Sequence, residues 1–593
     1  MKPLRTLFLS LLMVTLFLGC EKSEDDEIIK DPEAPENPVT PSFCNVSVAT
    51  DKAAYHPGNE VTFTIDISAL PATVKVRYKY LNTVLEEAAV TGSTWKWQTP
   101  ATDYQGYIAE VYDSNEDSET IYSTIAVDVS SNWTKFPRYG FLSDYSQLED
   151  EKINSVIENL NRHHINGLQF YDWHYKHHMS LPLVGGSPAS NWKDIINRDI
   201  YFSTVEKYIE ATHNHNMKAM FYNLIFGAWD DAEADGVKRE WYVYKDNTHS
   251  NRDFHPLPSP PFLSNLYLLD PSNPGWQQYL MNENQKVYEY LDFDGFHMDQ
   301  LGDRGTVYKY DGSRLYLNQA YQPFIEAIWA DEPDKYIVMN AVSQFGQQGI
   351  AAAPSDFLYT EVWDDYPNYV DLINIIKQNN LYSNNRKNTV LAAYMNYDLA
   401  DNPGYFNTPA VLMTNAVIFS HGGAHLEIGE HMLGKEYFPN NNLKMKPDLE
   451  KSLITYYDFL IAYQNLLRDG GSFNTVSIHS MDGKMVISNN LGKQGAVSVV
   501  AKKVGESQVI HFINFKDSKI TRWRDNQGEQ EVPGLIKDAK LLISVDGIVK
   551  NIWAASPDII GAASRSLNFV QTGNKVAITL PELKYWSMLV LEY

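Results

Sequence analysis

Between residues 131 and 472 the apolar positions follow two alternating rhythms. Short runs that are wholly apolar or apolar at every second position predict eight strands: RYGFLSDY (138–145), GLQFYDW (167–173), KAMFYNLIFGA (218–228), DGFHMDQLG (294–302), YIVMNAV (336–342), DFLYTEVW (356–363), TVLAAYMN (389–396) and GGAHLEIGE (422–430). Between them, 148–164, 204–216, 274–291 and 317–331 carry the helical period, and a last helix is expected over 448–468. Eight strands alternating with helices predict a central (β/α)8 TIM barrel over 131–472. The insertion between Phe226 and Leu269, dense in Asp, Pro and aromatics, then falls after the third strand, on the face where such barrels carry their sites.

The rhythm is different on both sides. VTFTIDI (61–67), VKVRYKY (74–80), GYIAEVY (106–112) and TIAVDV (124–129) alternate without any helical stretch, which predicts an N-terminal immunoglobulin-like β-sandwich over 43–130. Strand patterns return from Val476 and predict a C-terminal antiparallel β-sandwich over 473–593. The fold class is therefore multidomain, α/β in the centre and all-β at the flanks.

Two barrel strands end on a carboxylate. Side chains alternate along a strand, so an inward Asp299 brings His297 and Gly295 inward with it, while Phe296 and Met298 face the helices. The same alternation puts Tyr359, Glu361 and Trp363 on one face. Acids at the C-terminal ends of different strands converge at one mouth although 62 residues separate them. Such a pair can cleave a glycosidic bond, one acid at the anomeric carbon and the other at the departing oxygen. The end of strand two adds Tyr171, Asp172 and Trp173 as candidates to hold and shape sugar subsites. Asn340, Tyr394, Asn396, His425 and Glu427 end strands five, seven and eight and are weaker candidates, and His297 reads equally as a core histidine or a donor to Asp299. His174 and His178 stand four apart, as a helical metal pair would, but no third ligand accompanies them, so no metal is expected.

Composition narrows the chemistry. With 49 basic against 74 acidic residues the net charge is −25, which argues against nucleic acid and against docking on anionic lipid, and suits a neutral substrate. Thirteen Trp and 38 Tyr supply flat rings for pyranose faces. No redox or nucleotide cofactor is expected. Lys2 and Arg5 precede an apolar run over 7–18 that ends in Phe17-Leu18-Gly19-Cys20, so 1–19 reads as a signal peptide. The ending resembles a bacterial lipoprotein box with Cys20 as the lipidated residue, and the acidic run 21–27 resembles the surface-export tag of Bacteroidetes lipoproteins. The acidic, Pro-rich stretch 20–42 reads as a tether. These features predict an outer-membrane lipoprotein exposed at the cell surface, monomeric, meeting the membrane only through Cys20.

The strings DGFHMDQLGD (294–303), YTEVWDD (359–365), NWTKFPRYGFLSDY (132–145), GLQFYDWHYKHH (167–178) and GGAHLEIGEHML (422–433) resemble glycoside hydrolase family 66, from about residue 45 to the C-terminus. The resemblance implies a dextranase or a cycloisomaltooligosaccharide glucanotransferase, with Asp299 as nucleophile and Glu361 as general acid/base in a retaining double displacement. It implies dextran and isomaltooligosaccharides as partners. The cyclising members tend to carry a binding module after strand seven, and only about 25 residues separate Asn396 from Gly422, which favours endo-dextranase activity. The alternatives are the cyclising transferase and a non-catalytic glycan-binding lipoprotein.

Overall fold

The computed structural model describes residues 31–115 and 118–593, so the run 7–18, Cys20 and the acidic stretch 21–27 lie outside the described residues. Its centre is built on eight parallel strands: β1 (Tyr139–Leu142), β2 (Gly167–Phe170), β3 (Lys218–Leu224), β4 (Gly295–Asp299), β5 (Tyr336–Met339), β6 (Leu358–Glu361), β7 (Thr389–Ala392) and β8 (Ala424–His425). Each is followed by a helix: α1 (Asp150–Arg162), α2 (Phe202–Asn214), α3 (Pro274–Tyr290), α4 (Leu317–Asp331), α5 (Gln347–Ala352), α6 (Tyr369–Tyr382), α7 (Thr408–Ser420) and α8 (Pro447–Ala462). Strands β1 to β5 form one sheet in sequence order and β6 to β8 a second. The sheets meet at both edges. Asn340, just past β5, bridges Tyr359 of β6, and the Phe141 N–H of β1 donates to the Ile428 carbonyl beyond β8 at 3.3 Å.

Alternation along these strands sorts the side chains into two cores. Tyr139, Phe141, Met220, Val338, Tyr359 and Val390 point inward into one cluster, whereas Leu168, Phe221, Phe296, Met298, Ile337 and Leu391 join the larger cluster shared with the helices. Trp133 fills the N-terminal end of the inner cluster, edge-on to Tyr336 and Phe357 at 5.6 and 5.4 Å. Gly167 is required there, because a Cβ would run into the Trp133 ring.

The flanks are sheets. Residues 42–129 form a five-stranded and a three-stranded sheet around Val61, Phe63, Tyr78, Trp97, Tyr107 and Val127. Residues 472–592 form a larger sheet and a four-stranded one around Ile510, Phe512, Leu541, Ile578, Leu589 and Leu591. The large central cluster continues into both, through Ile108 and Ala126 on one side and Val509, Ile513, Trp553 and Trp586 on the other. Residues 35–37 run along the C-terminal unit, where Asn37 donates to the Thr579 carbonyl at 2.6 Å and the Glu36 carbonyl accepts from Asn568. No helix among the described residues is long and apolar enough to cross a membrane.

Several expected elements change. The third strand stops at Leu224, and Gly227–Ala228 turns away to pair with Leu266–Leu268 in a separate small sheet over the mouth. The eighth strand keeps only two residues of 422–430. Helices α5, α6 and α7 were not among the helical stretches read from the pattern. For α7 the reason is physical: every residue from Thr408 to Ser420 is buried, so no polar face marks its period.

Candidate active site

Asp299 and Glu361 stand at the C-terminal ends of β4 and β6, and one side chain ties them together. Asn340 donates through Nδ2 to Asp299 Oδ1 at 2.8 Å and to Glu361 Oε2 at 3.1 Å, while its Oδ1 accepts from the Glu361 N–H at 3.2 Å. The two bonds laid end to end set an upper limit of about 5.9 Å between those carboxylate oxygens. An oxygen pair this close allows the roughly 5–5.5 Å between carboxyl groups that a retaining pair requires.

The two acids differ in what else they touch. Asp299 accepts from the Tyr222 hydroxyl at 2.7 Å and from the Gln300 N–H at 2.8 Å, and Glu361 accepts from the Tyr394 hydroxyl at 2.6 Å. Burial raises both carboxyls. On Asp299 it is opposed by the hydrogen bonds from Tyr222, Asn340 and Gln300, each of which favours the ionised form. On Glu361 burial and the negative charge of Asp299 act together, against hydrogen bonds from Tyr394, Asn340 and Trp363, and push it up to about 7. The hydrogen bonds to Asp299 favour its ionised form, and a negative Asp299 in turn favours a proton on Glu361.

Both acids line a cavity of about 1040 Å³, together with Tyr171, Asp172, His297, Asn340, Trp363 and Tyr394. Tyr171 stacks on Phe438 at 4.3 Å, so the loop after β8 closes one wall. Asp172 has φ of 48°, the left-handed region, and burial raises its carboxyl to about 7 against the pull of Arg198. His297 sits on the floor. Its Nδ1 lies 3.2 Å from the Tyr139 hydroxyl, its ring packs edge-on to Tyr359, and burial lowers it to about 3, so it is a neutral interior histidine without a hydrogen bond to Asp299.

Four expected residues lie elsewhere. Trp173 is fully buried against Trp192, Phe221 and Phe293; it shares the parity of the inward Gln169 and Tyr171, but the left-handed Asp172 breaks the alternation just before it. Asn396 is spent on the Asp525 carbonyl and the Asn407 N–H. His425 bonds Asn415 and the Ala393 carbonyl, and Glu427 accepts from Asn415 and Tyr457, both buried behind the cavity wall. Ala424 and Leu426 belong to the inner cluster, so alternation turns His425 and Glu427 to the helix side, where both meet Asn415 of α7.

Tyr222 was missed, although its register opposite His297 in β3 makes it an inward residue that alternation alone identifies. Arg524 was also missed, and nothing in its local sequence marks it. It reaches in from the C-terminal unit, donates to the Val362 carbonyl at 2.7 Å and to Asp364 at 2.9 Å, and lies over the Trp363 ring at 5.6 Å. His178, Asp231 and Asp235 lie close enough together to bind a metal, but the Lys176 ammonium already contacts both aspartates, at 2.6 and 2.8 Å.

Comparison with known proteins places this arrangement. The chain is 26% identical to a cycloisomaltooligosaccharide glucanotransferase of Niallia circulans over 92% of its length and 71% of that enzyme. It is 23% identical to a dextranase of Streptococcus salivarius over 83% of its length and 68% of that enzyme. Among solved structures, a Paenibacillus cycloisomaltooligosaccharide glucanotransferase complexed with cycloisomaltoheptaose superposes with a TM-score of 0.85 at 26% identity, covering 93% of this chain and all of that one. With a family profile matched continuously over residues 50–590, the chain belongs to glycosyl hydrolase family 66.

Proposed function

We propose that the protein is an endo-dextranase that hydrolyses internal α-1,6-glucosidic bonds of dextran with retention of configuration. The observation that carries this reading is the single Asn340 amide spanning Asp299 and Glu361, which holds two carboxylates at nucleophile-to-acid spacing inside a large cavity. Asp299 attacks the anomeric carbon while Glu361 protonates the departing 6-oxygen, giving a glucosyl-enzyme ester. Glu361, now ionised, takes a proton from water, and the hydroxide oxygen displaces Asp299. Tyr171, Asp172, Trp363 and Tyr394 border the space where glucose rings would lie. The strand order and the two edge contacts support a closed (β/α)8 barrel as the scaffold.

A second reading is the cyclising transferase, in which a substrate's own 6-hydroxyl replaces water. It is favoured by the names of similar relatives. Against it, the segment from Ala392 to Ala424 holds α7, short turns and the two-residue strand Gly404–Tyr405, with no room for an inserted module. We place the enzyme at the cell surface on the strength of Cys20 and the acidic run behind it. Incubation with dextran, starch and pullulan, followed by chromatography, tests the reading. Linear isomaltooligosaccharides from dextran alone are expected; cyclic products establish the transferase, and cleavage of starch without dextran refutes the linkage.

A further inference from the structure

A second opening, of about 370 Å³, lies at the other end of the parallel strands from the carboxylate pair. It is bordered by α6, by Asn388 just before β7, by the turn His421-Gly422 just before β8, and by the segment Arg468–Phe473 beyond α8. Lys502 enters it from the C-terminal strand Ala496–Val504.

Its charge is the reverse of the chain's. Lys135, Lys377, Arg386, Lys387, Arg468 and Lys502 line it, and Asp469 is its one carboxylate, already paired with Lys135 at 2.6 Å. Among the described residues the other five cations have no ion-pair partner within 4 Å. Lys502 is 4% exposed and donates only to the Leu466 and Leu467 carbonyls. Arg468 is 5% exposed, donates to the Pro137 carbonyl, and keeps a buried Nε without a partner. Lys387 donates to two carbonyls and the Ser355 hydroxyl. Lys377 and Lys502 approach the same Phe473 ring at 5.9 and 5.6 Å.

Burying Arg468 and Lys502 without a carboxylate in ion-pair contact is costly, and in a protein of net charge −25 the gathering of Lys377, Arg386 and Lys387 around them is not a by-product of composition. A neutral glucan offers them nothing. A tetrahedral oxyanion does, because its oxygens accept from a guanidinium fork and from lysine point charges at once. We propose that this opening binds a phosphate group, free or carried as a monoester, and that the bound anion joins the central unit to the C-terminal sheet. Burial lowers Lys502 and Lys387 to about 8, so both still carry charge at pH 7, and the charge of a bound anion would oppose that lowering.

The full-length protein is titrated at pH 7 and constant ionic strength with inorganic phosphate, glucose 6-phosphate, chloride and glucose, reading heat and thermal midpoint. Phosphate or glucose 6-phosphate should give a saturable rise in midpoint, as linkage to the folded state requires, and chloride and glucose none. A tighter response to glucose 6-phosphate assigns the monoester, and an equal response assigns the free ion. Lys377→Gln, at an exposed position on α6, should weaken the dissociation constant by roughly tenfold or more. Lys502→Met should do the same where it folds. A rise that never saturates, or one of equal size in wild type and Lys377→Gln, overturns the proposal.

Discussion

The molecule holds two deeply buried acid clusters, one at the mouth around Asp299 and Glu361, the other where α8 meets the N-terminal sheets. In the second, Asp458 accepts from Arg162 at 2.9 Å, from His164 at 2.8 Å and from the Ala126 N–H at 2.8 Å, and nearby Arg138 pairs with Asp128 at 2.8 Å with both side chains fully buried. Burial alone would raise Asp458, but the Arg162 charge and the His164 hydrogen bond overcome it and bring the carboxyl down to about 2. At the mouth neither acid forms an ion pair among the described residues, the negative charge of Asp299 acts on Glu361, and Glu361 goes up to about 7. Equal burial thus yields opposite shifts. What faces the carboxylate, a cation or a second carboxylate, separates the group that holds the fold from the group that can move a proton.

Removing the charge from each cluster should break the molecule in opposite ways. Asp299→Asn is expected to lower cleavage of dextran by about 10,000-fold or more. Its thermal midpoint should stay level or rise, because an ion held at a cost by the site is gone. Asp458→Asn leaves Arg162 facing a neutral amide and should cost about 3–5 kcal/mol of stability. Activity per folded molecule should remain within about twofold of wild type. Denaturant unfolding and initial rates on one set of preparations decide both. If Asp458→Asn abolished turnover while leaving stability intact, the comparison would be wrong.

Glu361, the proposed general acid, sharpens the contrast through pH. Glu361→Gln should slow cleavage by about 100- to 10,000-fold, and wild-type activity should decline above about pH 7 as Glu361 loses its proton. The stability signs are opposite for the two regions. Glu361 is raised above its unfolded value of about 4.3, so the folded protein keeps a proton the unfolded chain has released, and stability falls as pH climbs from there to about 7. Asp458 is depressed, so its contribution is complete above about 3.9 and is lost as pH drops toward 2. Unfolding measured from pH 3 to 8 should show a shallower decline between 4.3 and 7 in Glu361→Gln, with the acid limb unchanged.

The two clusters were not equally legible. Asp299, Glu361 and the inward faces of β4 and β6 follow from strand alternation, and Asn340 and Tyr394 from their places at strand ends. His425 and Glu427 also stand at a strand end but fail, because Ala424 and Leu426 take the inward positions and alternation sends these two toward α7. The partners of Asp458 are invisible in sequence: Ala126, Arg162 and His164 lie about 300 residues upstream and meet it only through packing. Helix α6 was within reach, since Asn368 and Asp371 form a capping box ahead of Leu372, Ile375, Ile376 and Asn379, which are buried at helical spacing.

The smallest expected effect concerns a cation that approaches the mouth without neutralising either acid. Arg524 is 7% exposed, and its fork is spent on the Val362 carbonyl and Asp364, so its charge reaches Glu361 only through the backbone and the Trp363 ring it covers. If the mouth works because no cation faces its acids, Arg524 acts as a positioning residue for Trp363 and not as an electrostatic partner. Arg524→Ala should then reduce kcat/KM by about tenfold, mostly through KM, with the alkaline limb of the pH profile unmoved. Arg524→Lys should recover little, because a lysine keeps the charge but lacks the planar fork and its stacking. A shift of that limb in Arg524→Ala, with KM unaffected, would mean that the guanidinium tunes Glu361 directly, and the distinction between the two clusters would narrow to one of degree.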